Sequence, residues 1–138
     1  MWLEKGKTVV SERRGSVILS TKRSSGSAEF RGLPTVVLID GGSASAAEII
    51  AGALRDNNAT TLVGSKTFGK GSIQQVVRLT DGSELKVTIA RWYTPAGKNI
   101  DKQGITPDVP VEISDTDKQT GKDPQKDKAY EILRSKIS

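Results

Sequence analysis

The sequence predicts an α/β fold, a mixed sheet that contains a βαβ unit and antiparallel hairpins. Two apolar, β-branched runs flank a segment with helical spacing within about thirty residues, a pattern typical of parallel strands joined by a crossover helix. Two further pairs of strand-like segments meet at short polar turns, as hairpins do. A chain of 138 residues is long enough to bury one core.

The chain opens with a predicted hairpin. Residues 8–10 and 17–20 are strand-like and flank the polar stretch 11–16. Residues 21–27, which are rich in serine, are predicted to form a loop.

The βαβ unit comes next. Residues 35–39 are continuously apolar and β-branched, as expected of a strand covered on both faces, and Asp40-Gly41-Gly42 ends the run. A helix is then indicated by apolar residues at helical spacing and a polar stop at residues 56–58. Residues 60–63 are predicted to form the second parallel strand. The apolar helical positions are Ala47, Ile50, Ala51 and Leu54.

A second hairpin is predicted for residues 73–80 and 84–91, which flank Asp81-Gly82. Apolar and polar residues alternate in its second strand, so one face of that strand is expected to be buried. The apolar positions are Leu85, Val87 and Ile89.

The last part of the chain is predicted to lie outside the core domain of residues 1–114. Residues 115–128 carry many charges and no large apolar side chain, which favours a solvated loop or a disordered segment. Residues 129–137 are predicted to form a short helix that docks through Tyr130, Ile132 and Leu133. Residues 115–138 are therefore interpreted as a charged linker and a short C-terminal helix.

The chemistry is predicted to lie at Ser45 and Lys70. The sequence contains no histidine, so the usual Ser-His-Asp route is closed and lysine is the plausible base for a nucleophilic serine. Ser45 falls at the turn between a strand and a helix, where the N–H of Ala46 can hold an oxyanion. Two alternatives stay open: Ser45 and Glu48 also form a capping-box pattern, and Ser43 is a rival nucleophile or cap.

Lys70 lies between two glycines, in a turn that can aim a long side chain inward. An ammonium group is not a base, so this role requires burial or a nearby cation. The alternative is an exposed lysine on a glycine-rich loop. A phosphate-binding loop is disfavoured, because the GxxxxGK[ST] spacing is absent.

Composition excludes several function classes. The absence of cysteine and histidine removes disulfides and the commonest metal ligands, so no cofactor and no metal are predicted. The net charge of +5 arises in the N-terminal arm, which lacks a nucleic-acid-binding motif, so no nucleic-acid partner is expected. No apolar run approaches the ~20 residues of a membrane helix, so no integral membrane segment is predicted.

The chain contains four motifs, which in order are GGSASAAEIIAGALRDN, TFGKGSIQ, RWYTPAGKNI and GITPDV. Together they resemble the carboxyl-terminal processing proteases, the tail-specific serine endopeptidases of peptidase family S41. The resemblance implies that Ser45 is the nucleophile, Lys70 the general base and Gln74 the residue that orients that base. Alternatively, Gln74 is only a polar strand residue. Phe68 either shields the lysine from water or packs in the core.

The resemblance also implies that this chain is one part of a protease. Ala47 replaces a frequent serine of the family, which leaves the nucleophile and the base in place. No stretch matches the Asn-Pro-Gly-Gly segment that completes the family's oxyanion hole, or its PDZ domain, so weak or no turnover is expected from this chain alone. The parent is expected to be extracytoplasmic, in the bacterial periplasm or cell envelope, or in the thylakoid lumen.

The implied partners are the C-termini of protein or peptide substrates. The alternative function is a non-catalytic protein- or peptide-binding module on the same fold, and a nucleic-acid-binding domain is a distant third. Exposed sheet edges also predict a homo-oligomer through strand pairing.

Overall fold

The computed structural model describes residues 1–137. Within that range the chain forms seven strands and three helices. In chain order they are β1 (Thr8–Arg14), β2 (Val17–Arg23), β3 (Val36–Ile39), α1 (Ala46–Asp56), β4 (Thr61–Gly64), β5 (Ser72–Arg78), β6 (Glu84–Tyr93), β7 (Val109–Pro110), α2 (Asp115–Thr120) and α3 (Pro124–Ile137).

The predicted α/β class is confirmed, with the strands distributed over two sheets. Four antiparallel strands lie in the order β2-β1-β6-β5, and three parallel strands in the order β3-β4-β7. The parallel and antiparallel pairings that the sequence predicts are thus both present, but they do not share one mixed sheet. The chain passes from the parallel sheet to the antiparallel one between Gly64 and Ser72, the segment that contains Lys70.

The first hairpin is confirmed, and its strands are longer than predicted. Residues 11–14 and 21–23 belong to β1 and β2, and the turn is reduced to Gly15 and Ser16. Gly15 has a φ of 59°, which glycine adopts without strain. Strand pairing gives the polar residues backbone partners, and the hydroxyl of Ser20 donates to Glu12 across the hairpin at 3.1 Å. Strand pairing therefore extends the hairpin into residues whose polar composition predicted a turn and a loop.

The βαβ unit is confirmed: β3 and β4 pair in parallel, and α1 joins them. Ile39, Ala51, Leu62 and Ile105 form the core between the parallel sheet and α1. The expectation that β3 is covered on both faces is wrong for Leu38, whose side chain is exposed. The βαβ unit fixes where β3 ends and α1 begins, and Ser45 lies at that junction.

The second hairpin is also confirmed, but the predicted burial of one face is wrong. Leu85 is 51% exposed and Val87 is 40% exposed. The reason is that β1 pairs with only the last part of β6, at residues 91–93, so the distal part of the hairpin extends past its neighbour. Strand alternation alone does not show which layer covers a face.

The prediction of a loop or disordered segment over residues 115–128 is wrong. These residues contain α2 and the beginning of α3. Ser114 caps α2 by accepting a hydrogen bond from the N–H of Asp117, and Gly121 ends the helix in the left-handed conformation. Local capping signals outweigh the charged composition here.

The predicted C-terminal helix is confirmed and begins earlier, at Pro124. It contacts β3 and β4, and Gln125 donates from its side chain to the carbonyl of Val111 at 2.8 Å. Ile132 and Leu133 are half-buried, whereas Tyr130 is exposed, so that residue does not dock as predicted. None of the helices in residues 1–137 has the length and apolarity of a membrane span.

Candidate active site

Ser45 lies at the turn from β3 into α1, where it is the N-terminal cap residue of the helix. Its backbone has φ 56° and ψ −114°, a combination that residues with a side chain rarely adopt. A strained serine between a strand and a helix is the arrangement that presents a nucleophile in the strand–turn–helix elbows of hydrolases. Ser45 is also exposed.

Ser43 is held within its own turn. Its hydroxyl donates to the carboxylate of Asp40 at 3.0 Å and accepts the N–H of Asp40 at 3.1 Å. Because Ser45 occupies the cap position of α1, the idea that Ser43 is the cap is wrong. The Ser43 hydroxyl serves to close the turn before Ser45.

The carboxylate of Glu48 is the buried centre of the site. Its side chain is 0% exposed and accepts four hydrogen bonds. Oε1 accepts from the hydroxyl of Thr67 at 2.5 Å and from the N–H of Gly69 at 2.7 Å. Oε2 accepts from the N–H of Lys70 at 2.8 Å and from the N–H of Ser45 at 2.9 Å.

The capping-box prediction includes only one of these four bonds, the one from Ser45. The other three donors lie about 20 residues further along the chain, and no local pattern indicates them. The available signal is the position of Glu48, which lies three and four residues before the buried Ala51 and Gly52 and therefore on the buried face of α1. A carboxylate that is buried on that face requires hydrogen-bond donors or a positive charge beside it.

Two glycines shape the turn around Lys70. Gly69 has a φ of 89°, and a side-chain carbon on Gly71 would lie 2.3 Å from the nitrogen of Asp101. The carbonyl of Gly69 accepts from the N–H of Lys102 at 2.8 Å, so the turn packs directly on the backbone of residues 100–104. This packing fixes the backbone of Lys70.

The side chain of Lys70 does not meet the burial that a general base requires. Lys70 is exposed, and within residues 1–137 its Nζ makes no hydrogen bond to Oγ of Ser45. The backbones of the two residues are nevertheless close, since both N–H groups reach the same oxygen of Glu48. The structure therefore brings the two loops together and leaves the amine in solvent.

The remaining candidate residues lie within four positions of Ser45 or Lys70 in the sequence. Gln74 is exposed on β5, next to an irregularity in the pairing of β5 with β6. Phe68 is 67% exposed, so its proposed role in the core is wrong, and its N–H donates to the carbonyl of Ser43 at 3.0 Å. Ala46 is the first residue of α1, and its N–H has no acceptor in the described part of the chain.

Hydrogen bonds join the four sequence motifs around this site, and RWYTPAGKNI contributes the N–H of Trp92, which donates to the carbonyl of Gly71 at 2.7 Å. The hydroxyl of Thr67, which donates to Glu48, accepts the N–H of Ile105 at 2.7 Å. Arg55 donates to the carbonyl of Thr106 at 3.1 Å. These bonds join α1 and the lysine loop to the GITPDV segment. Residues 1–137 contain no group of three or more acidic side chains placed to hold a metal ion.

The two-sheet α/β fold is that of known peptidases. The structure aligns with the photosystem II D1 C-terminal processing protease at a TM-score of 0.75 and 42% identity, over 81% of this chain and 29% of that one. The tricorn protease has the same fold, with a TM-score of 0.64 and 22% identity over 76% of this chain and 11% of its own. The chain belongs to Peptidase family S41, whose family model matches residues 1–111.

Curated relatives are similar over most of this chain. The carboxyl-terminal-processing peptidase 2 of Arabidopsis thaliana, a chloroplastic protein, is 48% identical over 112 residues, 80% of this chain and 21% of the relative. The carboxyl-terminal-processing protease of Synechocystis sp. is 46% identical over 112 residues, 81% of this chain and 26% of the relative. The similarity to these relatives confirms the family resemblance of the motifs. The chain spans only about a quarter or less of their length.

At the other end of α1, the buried carboxylate of Asp56 accepts from Arg55 at 3.0 Å and from the N–H of Ala96 at 2.9 Å. Burial acts to raise the pKa of this carboxyl, but its hydrogen bonds outweigh burial and hold the pKa below 3.8. Asp56 therefore contributes stability above pH 3.8, and that contribution is lost as the pH falls through the lower pKa of the folded state.

We expect Asp56→Asn to lower the free energy of unfolding by a constant amount above about pH 5, and by progressively less in more acidic solution. Urea denaturation of both proteins from pH 7 to pH 2.5 measures the difference. Glu112→Gln removes an exposed carboxylate and controls for the loss of one negative charge. If the difference in the free energy of unfolding between Asp56→Asn and the parent chain does not become smaller in acid, the prediction is wrong.

Proposed function

We propose that this chain supplies the nucleophile and the general base of a serine endopeptidase, with Ser45 and Lys70 as a catalytic dyad. One observation carries the proposal: the N–H groups of both residues donate to the same oxygen of the buried Glu48. The strained backbone of Ser45 supports it, because such strain is costly and concentrates at functional sites. Ala46 N–H is the oxyanion donor, and Gln74 orients the amine.

The proposed chemistry is acyl transfer. The neutral amine of Lys70 takes the proton of Ser45 as Oγ attacks the carbonyl carbon of a peptide bond, and Ala46 N–H stabilises the oxyanion. Collapse of the intermediate breaks the C–N bond, and the lysine ammonium returns the proton to the leaving amine. Water then hydrolyses the acyl-enzyme with Lys70 again as the base.

This chemistry requires that Lys70 be removed from water, because the amine must be neutral when it accepts the proton. Lys70 and Phe68 are exposed in residues 1–137. We therefore propose that the bound substrate, or a part of the parent protein beyond this chain, covers the amine in the working enzyme.

The oxyanion site, like the environment of Lys70, lacks one of the parts that catalysis needs. Ser45 donates its own N–H to Glu48, which leaves Ala46 as the donor beside the nucleophile. No stretch of this chain matches the Asn-Pro-Gly-Gly segment that completes the oxyanion hole of the family, and loss of one oxyanion donor typically lowers the rate by about 10²–10³-fold. We therefore expect the 138-residue chain alone to turn over substrate weakly or not at all.

The proposed substrates are unstructured C-terminal segments of proteins. The support is the name of the relatives, which are carboxyl-terminal-processing peptidases of chloroplasts and bacteria. An extracytoplasmic location of the parent, in a bacterial envelope or a thylakoid lumen, is proposed on the same basis.

A second candidate function is a non-catalytic module that binds peptides on the same fold. The exposure of Lys70, and the absence of a hydrogen bond between its amine and Ser45 in the described residues, favour this alternative. The two candidates differ in whether Ser45 forms a covalent bond with an acyl or phosphonyl group.

A chimaeric protease tests the proposal. The segment of the Synechocystis protease that aligns with this chain is replaced by the corresponding residues of this chain, which are 46% identical to it. We expect the chimaera to cleave a reporter protein with an unstructured C-terminal tail, and a serine-reactive fluorophosphonate to label Ser45. Ser45→Ala is expected to abolish both signals, and Ser43→Ala, the control, to retain both. A folded chimaera that binds the tail but neither cleaves it nor becomes labelled would establish the binding module instead.

A further inference from the structure

The Glu48 carboxylate does more than cap α1. A cap glutamate needs to satisfy only one N–H group, that of Ser45. Here the same side chain also accepts from three donors of the lysine loop, and it is fully buried among them. Sequence patterns for helix capping explain one of the four bonds and leave three without a reason.

The four donors use the full capacity of an ionised carboxylate. Each oxygen accepts two hydrogen bonds, and an ionised carboxyl group has about four lone-pair sites and no proton. The direction of the Thr67 bond is fixed, because its hydroxyl accepts the N–H of Ile105 and so has its own proton free to donate. An amide or a protonated acid in this place would point an N–H or O–H group of its own at one of the four donors, and that hydrogen bond would be lost.

The two oxygens have different neighbours. Oε1 binds Thr67 and Gly69, which belong to the scaffold of the lysine loop. Oε2 binds the N–H groups of Ser45 and Lys70, the proposed nucleophile and base. A shift of either backbone therefore disturbs the hydrogen bond of the other through one shared atom.

From this arrangement we propose that Glu48 is the positioning residue of the Ser45 and Lys70 pair. Its carboxylate fixes the position of the Ser45 backbone relative to the Lys70 backbone. The N–H of Ser45 donates to this carboxylate, so the N–H of Ala46 is the one that is free to bind the oxyanion. The inference rests on the proposed function for its catalytic consequence, but the link between the two loops can be tested without it.

The link is tested first on the 138-residue chain by NMR and amide hydrogen exchange. Ser45 and Lys70 are exposed residues outside the interiors of helices and strands, so without Glu48 their amides would exchange freely. We expect both amides to be protected in the wild-type chain, and to lose protection together in Glu48→Gln. Free exchange of either amide in the wild-type chain would overturn the link even where the variant fails to fold.

Thr67→Val is the matched control. It removes one donor to Oε1 from the same buried cluster but leaves the two bonds to Oε2 intact. We expect this variant to lose stability while the amides of Ser45 and Lys70 stay protected. Loss of their protection in both variants alike would show that Glu48 acts only through general packing.

The catalytic consequence is tested in the chimaeric protease. We expect Glu48→Gln to lower kcat about 10²-fold, because small misplacement of reacting groups costs that much, with KM changed by less than about threefold. Thr67→Val is expected to keep kcat within about threefold of the parent chimaera. Equal losses in both variants, in proportion to their stability, would overturn the positioning role.

The two proposals fail in different ways. If Ser45→Ala retains activity, the proposed function is wrong, while the exchange data still decide whether Glu48 joins the loops. If Ser45→Ala is inactive but Glu48→Gln keeps its kcat, the function stands and the positioning role is wrong.

Discussion

Replacement of Lys70 by Met is expected to lower turnover by the chimaeric protease about 10⁴- to 10⁶-fold, the range over which loss of one member of a catalytic triad lowers kcat. Methionine keeps the four-atom apolar stem of lysine and removes the amine that takes the proton of Ser45. Lys70 is exposed and makes no ion pair in the described residues, so the substitution should not unfold the chain. Steady-state cleavage of the tailed reporter measures the effect, and urea denaturation checks the fold.

Lys70→Arg separates the two ways in which a lysine can contribute. A guanidinium group keeps the positive charge but does not lose its proton in proteins. If Lys70 is the base, the Arg variant is expected to be as inactive as the Met variant. If instead the cation only attracts substrate or stabilises the oxyanion, the Arg variant would retain substantial activity, and the role of Lys70 as a base would be wrong.

Gly71→Ala is expected to destabilise the chain by about 3 kcal/mol or more, as overpacking of a close contact does. The added methyl group would lie 2.3 Å from the backbone nitrogen of Asp101 and 2.8 Å from the carbonyl carbon of Ile100. Backbone atoms cannot move aside as the end of a flexible side chain can. The turn that carries Lys70 would therefore have to separate from residues 100–101, which also breaks the hydrogen bond from the N–H of Trp92 to the carbonyl of Gly71.

Gly82→Ala is the control for this prediction. Gly82 has a φ of 85° and open space around it, so alanine there adds backbone strain of about 1 kcal/mol without a clash. Urea denaturation compares the free energies of unfolding of the two variants with that of the parent chain. A cost at Gly71 no larger than the cost at Gly82 would show that the turn can yield, and that its position is not fixed by the contact with Asp101.

Local patterns predicted the parts of this molecule that depend on local physics. The β-branched run before Asp40 and the helical spacing after it predicted β3, α1 and the position of Ser45 between them. Asp81-Gly82 predicted the hairpin of β5 and β6, since few dipeptides fit so tight a turn. Because the sequence contains no histidine, it indicates Lys70 as the base for a nucleophilic serine.

Burial and distant partners could not be predicted in this way. Lys70 is exposed and Leu85 is largely uncovered because burial depends on which layer lies over a face, and the alternation of a strand does not contain that information. The strands divide into two sheets because β4 finds its second neighbour in β7, far along the chain. The α2 helix was missed because its charged composition concealed good caps at Ser114 and Gly121.

Glu48 shows the division most clearly. Its place in a capping box follows from residues three positions apart, so the bond to Ser45 was predictable from local geometry. Its bonds to Thr67, Gly69 and Lys70 require that the lysine loop return to the beginning of α1, which only the packed chain achieves. The sequence thus specifies the serine, the lysine and the turns that carry them, and long-range packing around one buried carboxylate brings the two loops together.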